Sequence, residues 1–189
     1  MARVKRNMFT QGLSGSVGSN MVFRNRGDET IVAVSPEHSG VVTEKQEEVR
    51  ETFLMATIFA KNILKDETKR KLYQEKADTT PSRNSYLVAV SDFLNAPRIK
   101  NINLNEYTGA TGSKMKARVI DDFKVETVSF EIYSHEGTLI EQGDAIIDET
   151  GLSWIYTATQ DNPQVSGSKI VVKATDIPGN LTQTEEILN

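Results

Sequence analysis

Beyond Met115 apolar and polar residues alternate through several short segments, and this period of two dominates the second half of the chain. Side chains along a strand point to opposite faces of a sheet in turn. Val128, Phe130 and Ile132 therefore share one face of one strand, and Trp154, Tyr156 and Ala158 do the same on another. The pattern predicts strands near 115–120, 126–133, 138–144, 153–159, 169–174 and 182–187. Ser134-His135-Glu136-Gly137 supplies a hairpin turn and Asp161-Asn162-Pro163 a break.

Earlier in the chain the period lengthens. Val49, Phe53, Ala56, Ala60 and Ile63 recur at steps of 4, 3, 4 and 3, which places them on one stripe of a helix, expected to face the core. Thr43 and Gln46 have the spacing of a capping box that opens it. Asp66 caps a second helix over 67–77, mostly charged apart from Leu72 and Tyr73. Thr80 and Pro81 read as N-cap and first residue of a third helix, with Tyr86, Val90, Phe93 and Leu94 on its buried side and Pro97 beyond its end. Upstream, Met21-Val22-Phe23-Arg24 and Thr30-Ile31-Val32-Ala33-Val34 flank the turn-forming Asn25-Arg26-Gly27-Asp28-Glu29 and predict a β-hairpin. The same turn accounts for the Arg-Gly-Asp tripeptide. A two-stranded hairpin is marginal alone, so it must pack on something.

The resulting organisation is α+β. Residues 1–20 form a flexible basic Gly/Ser arm, 21–96 a hairpin with a three-helix unit, 97–113 an Asn- and Gly-rich linker with room for one short strand, and 114–189 an antiparallel β-sandwich. The irregular apolar spacing of the linker suggests that the halves fold independently.

Composition changes this picture only in places. A hydrophobic fraction of 38% and a charged fraction of 25% suit a folded chain with thin cores. The net charge of −4 is uneven: Arg3, Lys5, Arg6, Arg24 and Arg26 precede the first acid, Asp28, whereas acids dominate beyond Met115. Such polarity suits head-to-tail association or an acidic partner for the basic end. The absence of cysteine excludes disulfides and thiolate metal sites. Residues 8–20 lack the apolar run of a signal peptide, and nothing approaches the ~20 apolar residues of a membrane span.

Candidate chemistry is sparse. His38 and His135 fall in predicted loops, no Gly-x-Ser-x-Gly elbow is present, and the glycine-rich run Gly12 to Gly18 lacks the Gly-Lys-Ser/Thr ending of a phosphate loop. No catalytic or cofactor-binding residue is therefore expected. Asp121, Asp122, Asp176 and Asn180, at strand ends, are the calcium candidates, competing with a plain turn-forming role.

Residues 114–188 resemble the cysteine-free immunoglobulin-like modules of bacterial surface and phage structural proteins. The likeness rests on Ala174-Thr175-Asp176-Ile177-Pro178-Gly179-Asn180 and on the aromatic strand Trp154-Ile155-Tyr156-Thr157. The N-terminal part, from Gly12 to Gly18 and on through Gln46 and Arg50, is similar to uncharacterised Bacteroidota proteins with a Gly-rich start. The resemblances imply an immunoglobulin-like fold for the C-terminal region and a bacterial or phage origin.

Taken with the hairpin and the arm, these readings lead to an expectation of non-catalytic structural work. The chain would self-associate, as a homo-oligomer or within a larger particle such as a virion, through Arg3, Lys5, Arg6, Met21, Phe23, Ile31 and Val32, and display its sandwich outward. The alternative is a glycan- or host-surface-binding module with Tyr133, Trp154 and Tyr156 as an aromatic platform. Nucleic-acid binding by the arm ranks below both, because the chain is acidic overall and no aromatics interleave those cations. Synthesis in the cytoplasm without a signal peptide is expected.

Overall fold

The computed structural model describes residues 2–5, by their backbone, and 10, 12–18, 20–26, 29–35, 40, 42–81 and 83–188. Arg6, Gly27, Asp28 and His38 lie outside them. The chain divides into two compact units, residues 1–47 and 48–189.

In the first unit the expected hairpin is present, as β3 (Met21–Arg26) and β4 (Glu29–Val34), and it forms the centre of a larger sheet. β1 (Ala2–Lys5) pairs antiparallel with β4, and β2 (Gly15–Val17) with β3, giving the order β1-β4-β3-β2. The segment read from its composition as an arm thus supplies both edge strands. Strand pairing is made by backbone groups, so a stretch poor in packing side chains can still satisfy the open edges of a hairpin. Thr30 and Ile31 are buried, and the Thr30 hydroxyl donates to Asn25 Oδ1 at 3.1 Å across the hairpin.

In the second unit α1 (Glu44–Ile63), α2 (Glu67–Asp78) and α3 (Ser85–Leu94) are followed by eight strands. α1 opens, at the end of the first unit, on the expected capping box. Thr43 N–H donates to Gln46 Oε1 at 3.1 Å and Gln46 N–H to Thr43 Oγ1 at 3.4 Å. Asp66 caps α2 by accepting from the N–H groups of Thr68 and Lys69. The third helix starts later than Thr80 and Pro81 suggest. The Thr80 hydroxyl instead donates to Lys76 O and closes α2, while Asn84 Oδ1 accepts from Leu87 N–H and caps α3. The helices bury Ala56, Ala60, Tyr73, Ala77, Val88, Ala89 and Val90, with Phe123 from a later loop stacked on Tyr73.

The strands are β5 (Arg98–Asn103), β6 (Lys114–Ile120), β7 (Val125–Tyr133), β8 (Leu139–Asp144), β9 (Ile146–Ile147), β10 (Trp154–Thr157), β11 (Lys169–Asp176) and β12 (Leu181–Ile187). They make two four-stranded antiparallel sheets, β5-β6-β10-β9 and β12-β11-β7-β8. One core unites the sheets: Ile102, Met115, Ala117, Val119 and Tyr156 from the first meet Val128, Phe130, Ile132, Ile170, Val172 and Ala174 from the second. The chain crosses from the second sheet to the first at buried Ala145, between β8 and β9. Within the span read as linker, β5 is an edge strand of the first sheet, and Tyr107 belongs to the core. With Phe123 also packed among the helices, residues 48–189 are one unit, and the division falls at 47/48 rather than within 97–113.

Candidate functional site

Three acids from distant parts of the sequence converge beside the end of α3. Asp92 comes from the buried side of that helix, Asp121 follows β6, and Asp176 ends β11. One carboxylate oxygen from each lies within 4.8 Å of the other two. Asp92 is 1% exposed and Asp176 fully buried, and among the described residues no Lys, Arg or His forms an ion pair with any of the three.

Each carboxylate is held by a local reason. Asp121 Oδ2 accepts from the N–H groups of Phe123 (3.3 Å) and Lys124 (2.9 Å), shaping the turn that delivers Phe123 to Tyr73. Asp176 Oδ1 accepts from Asn180 N–H at 2.7 Å and Oδ2 from Asn180 Nδ2 at 2.8 Å, closing the β11–β12 turn around Gly179 at φ 92°. Asn180 Nδ2 also donates to the carbonyls of Asp92 (3.3 Å) and Phe93 (3.1 Å), which fastens that turn to the end of α3. Asp92 Oδ2 accepts from the Tyr73 hydroxyl at 2.6 Å. Two oxygens remain without a hydrogen-bond partner, Asp92 Oδ1 and Asp121 Oδ1, both buried.

The electrostatics follow from this crowding. Burial pushes the Asp92 carboxyl up to about 7, the charges of Asp121, Asp176 and Asp122 add to the rise, and the Tyr73 hydrogen bond opposes it. Burial also raises Asp176, against its bonds from Asn180. Tyr73 is raised by burial and by its bond to Asp92, so it stays a neutral donor. A group of carboxylates closed off from substrate-sized molecules can hold a proton or a small ion.

Of the four calcium candidates, the structure brings Asp121 and Asp176 together and places Asn180 beside them as a donor. Asp122 is not one of the three converging acids and is ion-paired with Arg98 at 3.6 Å on the surface. The residues missed were Asp92 and Tyr73. Their signal was present: Asp92 falls on the same helical face as Val88 and Ala89, where a lone carboxylate needs a partner.

The three aromatics do not form one platform. Tyr156 is 5% exposed, stacks on Phe130 at 5.6 Å and donates to Glu141 Oε2 at 3.0 Å. Thr159 N–H and Oγ1 donate to the same oxygen at 2.8 and 2.7 Å. Trp154, two residues earlier and on the same side, packs partly buried against that core. Tyr133 lies in the opposite sheet, its hydroxyl donating to Glu131 and Lys169 Nζ 5.0 Å from its ring centre. Inward alternation on β10 turns these rings into core.

Among the interaction candidates, Met21 is exposed, Phe23 and Val32 are half-buried and Ile31 is buried. Arg3 and Lys5 lie on β1, opposite Ile31 and Glu29. α1 also exposes apolar side chains. Ala56 and Ala60 face the helical core, whereas Leu54, Met55 and Ile58 are each at least half exposed; so are Val49 and Phe53, which the stripe assigns to the core but which precede the part of α1 that buries Ala56 and Ala60. Among the described residues no helix is long and apolar enough to cross a membrane.

No protein-family model matches the chain, and no curated protein is similar to it. Among solved structures, an engineered protein is similar over 50% of this chain, with 16% sequence identity and a TM-score of 0.32. The matched region spans 20% of that protein's own length, and at this level the likeness carries no argument about fold or function.

Proposed function

We propose that the chain is a non-catalytic assembly protein of a bacterial or phage particle or surface, which self-associates through its N-terminal half and displays an immunoglobulin-like module. The observation that carries self-association is the outer face of α1. A surface helix ordinarily keeps one apolar stripe, yet α1 is apolar on its core side and again at Leu54, Met55 and Ile58. A second copy suits that face. Glu44 and Glu47 stand in the first turn and Lys61 in the last, so two α1 helices laid antiparallel bring acidic ends onto basic ends while the central apolar residues meet at a two-fold axis.

The immunoglobulin-like reading of the displayed module is supported by strand order. Lettered in sequence from β5, with β8 as the additional strand after C, the sheets read A-B-E-D and G-F-C-C′. The constant-type immunoglobulin sandwich sets A, B, E and D against C, F and G.

A chain without cysteine allows a direct test by single substitutions. Leu54→Cys lies near the middle of α1, hence near its own copy at the axis. Lys61→Cys, seven residues away, would be ~20 Å from its copy at 1.5 Å rise per residue. A short bismaleimide should join Leu54→Cys into covalent dimers and leave Lys61→Cys monomeric. Equal yields from both, or none from Leu54→Cys, would refute the antiparallel pair.

A further inference from the structure

We propose that Asp92, Asp121 and Asp176 bind one hard divalent cation of the size of calcium. The inference concerns a different part of the molecule from the α1 surface and stands apart from the assembly reading.

The cluster alone would say little, since acids often gather without a ligand. What points to an ion is the unpartnered oxygen within it. Asp92 Oδ1 belongs to a residue 1% exposed and has no hydrogen-bond partner, and Asp121 Oδ1 is a second buried oxygen in the same state. A buried carboxylate oxygen left bare is costly, and here two of them lie in one cluster. No donor among the described residues reaches either oxygen, and no cationic side chain forms an ion pair with the three acids. A dication offsets two of the three negative charges and gives both bare oxygens a partner.

Coordination and hydration chemistry favour calcium over magnesium. Calcium takes oxygen ligands at about 2.3–2.6 Å in flexible geometry, so oxygens around one calcium stand up to ~5 Å apart. Three oxygens that all lie within 4.8 Å of one another can reach one such ion. Magnesium requires a near-octahedral shell at about 2.0–2.1 Å and gives up its waters reluctantly, which a site built from buried groups does not favour. Calcium also needs ligands beyond three. A cavity of about 10 Å³ bordered by Ser91, Asp92, Asp122 and Phe123, and also by Lys76 and Arg83, has room for about one water beside Asp92.

The ion would join three pieces that otherwise meet through Asn180 and Tyr73: the end of α3, the β6–β7 turn and the β11–β12 turn. It would make the connection between helices and sheets in residues 48–189 depend on cation. Carboxylate ligands must be ionised to hold a cation, so binding should strengthen as pH rises.

The test uses the full chain freed of metal with a chelator. Terbium(III), a calcium substitute excited through nearby tyrosine, should luminesce when bound, because the Tyr73 hydroxyl lies 2.6 Å from Asp92 Oδ2. Calcium should displace it at lower concentration than magnesium, and should raise the melting temperature where sodium chloride of equal ionic strength does not. Asp92→Asn keeps an oxygen for Tyr73 and should still fold, yet weaken binding by more than the ~10–100-fold typical of losing an outer-shell partner. Asp144→Asn, at the exposed end of β8 and away from the cluster, should bind as the parent does. Absence of sensitised emission together with an unchanged melting temperature in calcium would overturn the proposal. So would full binding by Asp92→Asn, or a stability that follows pH alone and ignores calcium, which would make the cluster a proton-sharing group.

Discussion

Replacing Asp92 by Asn should remove a pH dependence that the metal-free protein owes to one buried carboxyl. Asp92 is raised from 3.8 to about 7 in the folded chain. Between those values the folded state keeps a proton that the unfolded state has lost, so stability falls as pH rises and levels off above about 7. A shift of about 3 pKa units at 1.36 kcal/mol each amounts to roughly 4 kcal/mol, absent below about pH 4 and fully present above pH 8. The groups that face Asp92 act in known directions: Tyr73 steadies its anion, while Asp121, Asp176 and Asp122 oppose it. Asp176 is raised as well and leaves the variant a residual slope of the same sign. Urea unfolding of parent and Asp92→Asn at pH 5 and pH 8, in chelator, measures the effect, and a common m-value secures the comparison. The variant should gain about 2–4 kcal/mol on the parent between pH 5 and pH 8, most of the shift worked out above. A parent as stable at pH 8 as at pH 5, or a variant with the parent's slope, would refute the reasoning.

Two further outcomes follow from packing. Tyr156→Phe removes one of three donors to buried Glu141 Oε2 while keeping the ring on Phe130, and should lower stability by about 1–2 kcal/mol in chemical denaturation. Burial and the bond to Glu141 raise the Tyr156 hydroxyl to about 12, so it remains a donor and the loss should be the same at pH 6 and pH 9. Gly109→Ala and Gly112→Ala form a contrast, because both glycines have positive φ, 82° and 89°, but a Cβ at Gly109 would stand 2.3 Å from Val165 Cγ2 and 2.5 Å from Asn162 O. Nothing lies within 4 Å at Gly112. Gly112→Ala should cost about 1–2 kcal/mol for the backbone alone, and Gly109→Ala clearly more, read from paired melting curves.

Much of the second unit was legible because its cause is local. The alternation Val128, Phe130, Ile132 predicts three inward residues, and all are fully buried. Thr43 and Gln46 announce a cap that forms as read. β5 was hard to see for a physical reason: the register shifts between Ile99 and Asn101, so its apolar residues Ile99 and Ile102 are three apart and the period of two is broken. β1 and β2 were hidden because edge pairing is written in backbone groups, which every sequence carries. Asp121 and Asp176 could be picked out as acids at strand ends. Their meeting with Asp92 could not, since it is made by packing α3 against two turns far away in the chain. Tyr156 and Trp154 show the limit in the other direction: an aromatic pair reads the same whether its sheet face is turned inward or outward, and only the second sheet decides.

Self-association through α1 can be read from light scattering of the intact protein across a concentration series, beside the double variant Leu54→Glu, Ile58→Glu. Both substituted side chains are at least half exposed and lie away from Ala56 and Ala60, so the fold should survive and circular dichroism should be unchanged. The parent mass should rise to a multiple of 21.0 kDa while the variant stays at 21.0 kDa. A parent that remains at 21.0 kDa at every concentration, or a variant that associates as the parent does, would contradict it.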